Sequence, residues 1–244
     1  MARRGRRMLT WFVVLVLVLG VLLLAADRIG AYAAERTIAE KVSQQTTQLD
    51  ISSSEPEVTV GGFPFVTQVL DGTYKDIRIV LRDVSKGGVV LPELDVHAQD
   101  VEASMSTLMS GEGEVVAKRM VGTATIGYSS VRALFDRPGL ELSEQDGRLR
   151  LRLPLTIEGQ QFTAVAVGEV SGSAGQVRLA ITDIGAEGIT LIPQAQRLLD
   201  DYKQQLSLTI TLPPLPFRLR VESVQVRPEG LAITASARSV PLSG

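Results

Sequence analysis

The chain holds a single histidine and no cysteine, so any reactive chemistry must come from His97, carboxylates and hydroxyls. A nucleophile system of the Ser-His-Asp kind would have to use His97 as its base. That residue sits in Leu94-Asp95-Val96-His97-Ala98-Gln99, where Val96 and Ala98 alternate with it. This is the pattern of an outward-facing strand residue, and an ordinary surface histidine satisfies it. A hydrolase built on His97 would need partners that the sequence does not supply. Glu93, Asp95, Asp100 and Glu102 have the chemistry for a calcium site or an acid-base pair. They lack the DxDxDG spacing of an EF-hand loop, and a solvated strand face accounts for them. Asp200-Asp201 reads as the polar side of a short helix. No GxxxxGK[ST] phosphate loop occurs, and without cysteine there is no disulfide, cysteine zinc site or lipid-modified cysteine. The sequence therefore predicts a protein with no catalytic residues, no metal site and no cofactor.

A different kind of cluster stands out. Gly61-Gly62-Phe63-Pro64-Phe65-Val66-Thr67-Gln68-Val69-Leu70-Asp71-Gly72-Thr73-Tyr74 carries Phe63, Phe65 and Tyr74 between bounding glycines. Two roles suit it: a buried corner that plugs the end of a sheet, or a rigid aromatic lip at the mouth of an apolar groove. It runs into an alternating stretch with Ile77, Ile79 and Leu81 on one side. Further on, Leu149, Leu151, Leu153, Leu155 and Ile157 alternate with Arg148, Arg150, Arg152, Pro154 and Thr156. Such a period of two makes one greasy and one charged face. Phe63, Phe65, Tyr74, Ile77, Ile79, Leu81, Leu149, Leu151 and Leu153 are the candidate lining of an apolar ligand site. Pro154 places its strand at an edge or marks a bulge.

These residues need long strands to position them. Glu57 to Val60, Val89 to Val101, Val115 to Ile126, Phe162 to Val170, Leu206 to Leu212 and Leu231 to Ala237 read as further strands. Three segments share a pattern: Ile77 to Val84, Val177 to Ile184, and Phe217 to Val224. Each alternates apolar residues with Arg at its second position and then shifts by one, which predicts a bulge or twist. Each precedes a glycine turn, at Gly87-Gly88, Gly188 and Gly230, so three bulged hairpins are expected. Ordinary antiparallel alternation is the other account of the match. Short helices are predicted after Ser129 or Ser130, over Val131 to Phe135 and ending at Pro138-Gly139, and from Pro193 through Leu206. Leu212-Pro213-Pro214-Leu215-Pro216 should run as an extended connector.

The N-terminus supplies the address. Residues 9–26 are an uncharged apolar run behind Arg3, Arg4, Arg6 and Arg7. A run of about 18 residues reaches the length of a membrane span, and the arginines hold its start in the cytoplasm. The length favours a retained signal anchor, while Ala31-Tyr32-Ala33 followed by Ala34 would suit cleavage of a signal peptide. The expected organisation is a basic tip over 1–8, an anchor over 9–26, a helix or stalk over 27–55 and a β-rich domain over 56–244. Beyond the tip the chain has 21 basic against 27 acidic residues, a net charge of −6, which does not suit nucleic acid. Over Asp27 to Leu49, Ala31, Ala34, Ile38, Val42 and Leu49 fall at helical spacings. That pattern fits either a stalk or a helix packed on the sheet.

Gly62-Phe63-Pro64-Phe65-Val66-Thr67-Gln68, Gly72-Thr73-Tyr74 with Ile77 and Ile79, and Leu212-Pro213-Pro214-Leu215-Pro216-Phe217 with Val224, Gly230 and Leu231 together resemble the actinobacterial LmeA family of envelope phospholipid-binding proteins. The resemblance covers nearly all of the chain beyond the anchor. It implies an α+β fold in which a long curved antiparallel sheet wraps around helix, similar to the tubular lipid-binding (TULIP, BPI-like) folds. It also implies attachment to the plasma membrane, with the domain in the cell envelope, and a part in maintaining envelope lipoglycan. The partners it implies are a phospholipid or other acyl-chain lipid, the plasma membrane and proteins of envelope biosynthesis. The alternative is an envelope scaffold with a solid core and no lipid cavity.

Overall fold

The computed structural model describes residues 2–86, 89–104, 106–107, 113–133, 138–157, 160–173, 175–187, 208–211 and 219–242. One helix, α1, runs unbroken over Ala2–Gln48. The apolar run and the periodic segment after it are thus a single rod, since no proline interrupts them. Ala31 is buried and Ala34 and Ile38 pack beside it against the sheet, so the upper half of α1 is docked. Gln44, Gln45, Thr47 and Gln48 remain exposed, as does Leu49. Asp50 closes the helix in the left-handed region at φ 53°. The Ile51 N–H reaches Thr46 O at 2.9 Å and the Asp50 N–H reaches Thr47 O at 3.2 Å, the paired bonds of a Schellman end.

Among the described residues the strands form two antiparallel sheets. The first has the order β1-β2-β3-β4-β11-β10, with β1 Glu57–Gly61, β2 Thr73–Lys86, β3 Val89–Glu102, β4 Val116–Gly127, β10 Arg220–Arg227 and β11 Gly230–Pro241. The second has the order β5-β6-β7-β8-β9, with β5 Glu141–Gln145, β6 Arg148–Ile157, β7 Gln160–Ser173, β8 Gln176–Glu187 and β9 Leu208–Thr211. Of the short helices among the described residues, α2, Phe65–Asp71, lies between β1 and β2 of the first sheet, and α3, Tyr128–Ala133, follows β4 of the first sheet and precedes β5 of the second. Pro154 lies in β6 beyond the reach of β5, which pairs only as far as Arg152, so its missing N–H interrupts no ladder on that side. The helix expected from Pro193 and the connector Leu212 to Pro216 lie outside the described residues.

The shift of alternation expected in the three similar segments is real, but two devices produce it. In β8 the register slips between Val167/Gly168 on its partner, leaving Thr182 as the extra residue. In β10 it slips at the same position of the pattern, leaving Glu222 extra. In β2 there is no register shift against β3; instead Asp83 takes φ 53°. A residue in that left-handed conformation turns its strand over locally, so Leu81 and Val84, three apart, are both buried. The same device recurs lower in the sheet, where Asp100 and Ser239 have φ 48° and 50°. They lie between the rows Tyr74–Val101–Ala117–Val240 and Ile77–Ala98–Met120–Ala237, which are three residues apart yet share one cluster.

The core has two centres. One gathers Ala31 of α1, Val60, Phe65, Tyr74, Val101, Met120 and Val240. The other is built between the sheets, from Leu149, Leu151, Ala166, Leu179 and Ile181 on one side and Val221, Val224, Leu231 and Ala235 on the other. Gly172 of β7 makes that contact close: a Cβ there would lie 2.4 Å from Val224 Cγ2 and 3.0 Å from Val221 Cγ1.

Candidate functional site

The aromatic segment is the joint between α1 and the first sheet. Gly62, at φ 89°, turns the chain through a cis Phe63–Pro64 bond into α2. With Pro64 at its N-cap position, α2 has no capping side chain of its own. Asp27 of α1 supplies the acceptor instead, taking the Val66 N–H at 2.9 Å on Oδ1 while Arg28 donates to Oδ2 at 3.0 Å. Glu35, two turns further along, accepts the Val60 N–H at 2.9 Å. Gln68 is buried and ties both flanks, donating to Gly61 O and accepting from Lys75 N–H. Phe65 lies under Gly30, and Phe65 and Tyr74 meet at 6.2 Å between ring centres. Phe63 faces out beneath the Arg28 guanidinium, 5.2 Å from its ring centre. The two aromatic roles open in the sequence are therefore divided: Phe65 and Tyr74 plug, and Phe63 is exposed.

Above this joint one face of the first sheet is aliphatic from strand to strand. Ile79–Val96–Gly122–Ala235 and Leu81–Leu94–Ala124–Ile233 form consecutive cross-strand rows. Ile79, Leu94, Val96, Ala124 and Ile233 are only half-buried, unlike the Tyr74 row below them. Of the candidate lining residues, Tyr74 and Phe65 belong to the α1-side cluster with Ile77 against it. Leu149 and Leu151 belong to the cluster between the sheets with Leu153 against it. Ile79 and Leu81 lie on the face that connects the two. Leu94, Val96, Ala124 and Ile233 were not among the candidates. The Leu94-x-Val96-x-Ala98 alternation was a signal for them, but the partner strand across each row is set by topology.

The opposite face is charged. Arg78 donates to Asp95 from Nε to Oδ1 at 3.0 Å and from Nη2 to Oδ2 at 2.7 Å. Hydrogen bonds from Arg78 outweigh partial burial and hold the Asp95 carboxyl below its usual range. Both nitrogens of His97 face carboxylates, Asp76 at 3.1 Å and Asp95 at 3.5 Å. On the second sheet Arg150 and Arg152 share Glu187 at 2.6 and 2.8 Å. Glu93 and Glu102 likewise pair with Arg82 and Lys118. Among the described residues no three histidines or acids gather as a metal site.

Between the upper half of α1 and the Ile51 to Val58 segment lies an open groove of about 900 Å³. Its walls are mostly polar, including Glu35, Arg36, Glu40, Ser43, Ser52 and Glu55, and none of the nine candidates lines it. Tyr74 has a buried hydroxyl with no partner among the described residues, and burial raises its pKa. A family model described as LmeA-like phospholipid-binding matches residues 25–236. The match begins at the outer end of the apolar run. No curated protein and no solved structure matches the chain.

Proposed function

The chain belongs to the LmeA-like phospholipid-binding family, and from that premise we propose a membrane-anchored, extracytoplasmic, non-enzymatic protein that holds or carries phospholipid in the cell envelope. The observation that carries this reading is the half-buried aliphatic face running from Ile79 and Leu94 to Ile233. An acyl chain laid on such a face gains about 0.8 kcal/mol per buried methylene, so a chain of about 16 carbons has on the order of 10 kcal/mol available before ordering costs. The nine candidates named from sequence would then line or support the site: Ile79 and Leu81 directly, with Phe65, Tyr74 and Ile77 at one end and Leu149, Leu151 and Leu153 at the other. Phe63 stays at the joint. A sheet curved around helix, as in tubular lipid-binding folds, is part of this proposal.

Among the described residues one helix is long and apolar enough to cross a membrane. We assign residues 9–26 as the anchor, 1–8 as the cytoplasmic tip, 27–55 as the helix that joins the span to the domain, and 56–244 as the domain proper. The reading requires no catalysis: His97 lies on the charged face in contact with Asp76 and Asp95, and Arg78 pairs with Asp95 beside it.

The face assignment is tested by co-purified lipid. Ile79→Asp and Leu94→Asp should each lower bound phospholipid at least about tenfold, because an unpaired charge beside an acyl chain costs more than about 1.4 kcal/mol. Arg78→Gln and Arg150→Gln, on the opposite faces, should leave it within about twofold, since exposed ion pairs contribute little. Equal losses from both kinds of variant in folded protein would contradict the assignment.

A further inference from the structure

The exposed side of α2 remains unexplained by a lipid site on the sheet. Its inner residues, Phe65, Gln68 and Val69, face the core, while Val66 is 49% and Leu70 80% exposed. Phe63, in the turn that leads into α2, is 54% exposed. Val66 and Leu70, four apart on α2, and Phe63 just ahead of the helix leave three large apolar groups in water, which is costly.

The height of this patch is fixed by the anchor. Residues 9–26 rise about 27 Å as a helix, close to the roughly 30 Å of a bilayer core. Asp27, the next residue, accepts the Val66 N–H, so the start of α2 is tied to the level where α1 leaves the hydrocarbon. Trp11 and Tyr32 are both exposed on α1 and about 31 Å apart along it, a spacing that suits aromatic belts at the two interfaces. Arg28, over the Phe63 ring, puts a guanidinium at the height of the outer-leaflet phosphates.

We propose that α2 is a second membrane contact: Phe63, Val66 and Leu70 enter the headgroup and acyl boundary of the outer leaflet beside the exit point of α1. The occupant of this face is a phospholipid bilayer surface, and continuity with the span is what selects it over a protein partner. The contact holds the Tyr74 end of the aliphatic face against the bilayer, which gives a lipid a route between leaflet and sheet without crossing water. The proposal rests on the reading of α1 as a membrane span.

The test uses the full chain in phosphatidylcholine vesicles containing lipid brominated near the start of its acyl chains. The natural tryptophan is removed by Trp11→Phe, and single tryptophans are placed by Val18→Trp, Leu70→Trp or Lys41→Trp. All three positions are exposed, so the fold is not at stake. Val18→Trp reports the span, and Lys41→Trp sits about 21 Å beyond Asp27 on the same helix. The expected result is a blue-shifted, strongly quenched Leu70→Trp, a quenched Val18→Trp and an unquenched Lys41→Trp. Leu70→Trp unquenched while Val18→Trp is quenched overturns the proposal, leaves the anchor standing and assigns the α2 face to a protein. Both unquenched overturns the anchor and this proposal with it.

Discussion

At the scale of single residues, Tyr74 is the most exacting position. It is 3% exposed, its ring packs in the α1-side cluster, and its hydroxyl meets no partner among the described residues. A buried donor left unpaired costs about 1–3 kcal/mol, so Tyr74→Phe should raise the stability of lipid-free protein by about 1 kcal/mol. Thermal or denaturant unfolding checks this. A loss of stability, or of bound lipid, would show that the hydroxyl has a partner to lose. Asp27 has the reverse character: it is buried, but both carboxylate oxygens are used, one by Val66 N–H and one by Arg28. Asp27→Ala should cost about 1.5–3 kcal/mol, because bonds to a charged group are the stronger kind and α2 has no other cap. Asp27→Asn, which keeps an acceptor for Val66, should recover about half. Equal loss in the two variants would mean that charge, not capping, is what α2 needs.

At the scale of elements, much was legible because period-2 alternation reports a strand directly. Ile77 to Leu81 and Leu149 to Leu153 showed their inner faces without a structure, and β3, β4 and β11 appeared within one to four residues of their ends. What could not be read was how a strand changes face. A shift in alternation signals that something must happen, but Thr182 and Glu222 bulge whereas Asp83 turns over within an unbroken register. The difference depends on the partner strand, which a single chain segment does not contain. Asp100 and Ser239 carry the same signal, since Gln99-Asp100 stands between Ala98 and Val101 and Arg238-Ser239 between Ala237 and Val240, but neither shift was among the expectations drawn from the sequence. The packing of one sheet on the other was silent, because Gly172 looks like any turn glycine until Val221 and Val224 are found against it. Gly172→Val should therefore destabilise by about 2 kcal/mol or more through overpacking. Gly175→Val, where nothing lies within 4 Å of the added carbon, tests the turn without the contact. If the Gly172 variant matched wild type while the Gly175 variant did not, the close approach of β7 to β10 would be wrong.

At the scale of the whole molecule, α1 does two jobs with one unbroken helix. Residues 11–26 are apolar and, Gly20 aside, exposed, as a lipid-facing segment would be, while the upper half of the helix presents a narrow stripe of Ala31, Ala34 and Ile38 to the sheet. Because the rod is continuous and Asp27, Glu35 and the stripe fix the sheet to it, the domain is held at a set height on α1, and with residues 9–26 as the proposed span it would stand at that height above the bilayer. The aliphatic face begins at that joint and continues along β2 from the Tyr74 row to the Leu81 row. This arrangement suits a protein that takes an acyl chain at the surface and holds it on the sheet. The joint also fixes where the domain can be cut: a domain of residues 27–244 keeps Asp27, Ala31 and Glu35. Mass spectrometry of lipids extracted from that domain, exported, purified without detergent and compared with a mock preparation, tests the central claim most directly. The account predicts phospholipid in stoichiometric amount. Folded protein that carries none, and still takes up none after incubation with liposomes, would contradict it and leave an envelope scaffold whose aliphatic face is filled by its own chain.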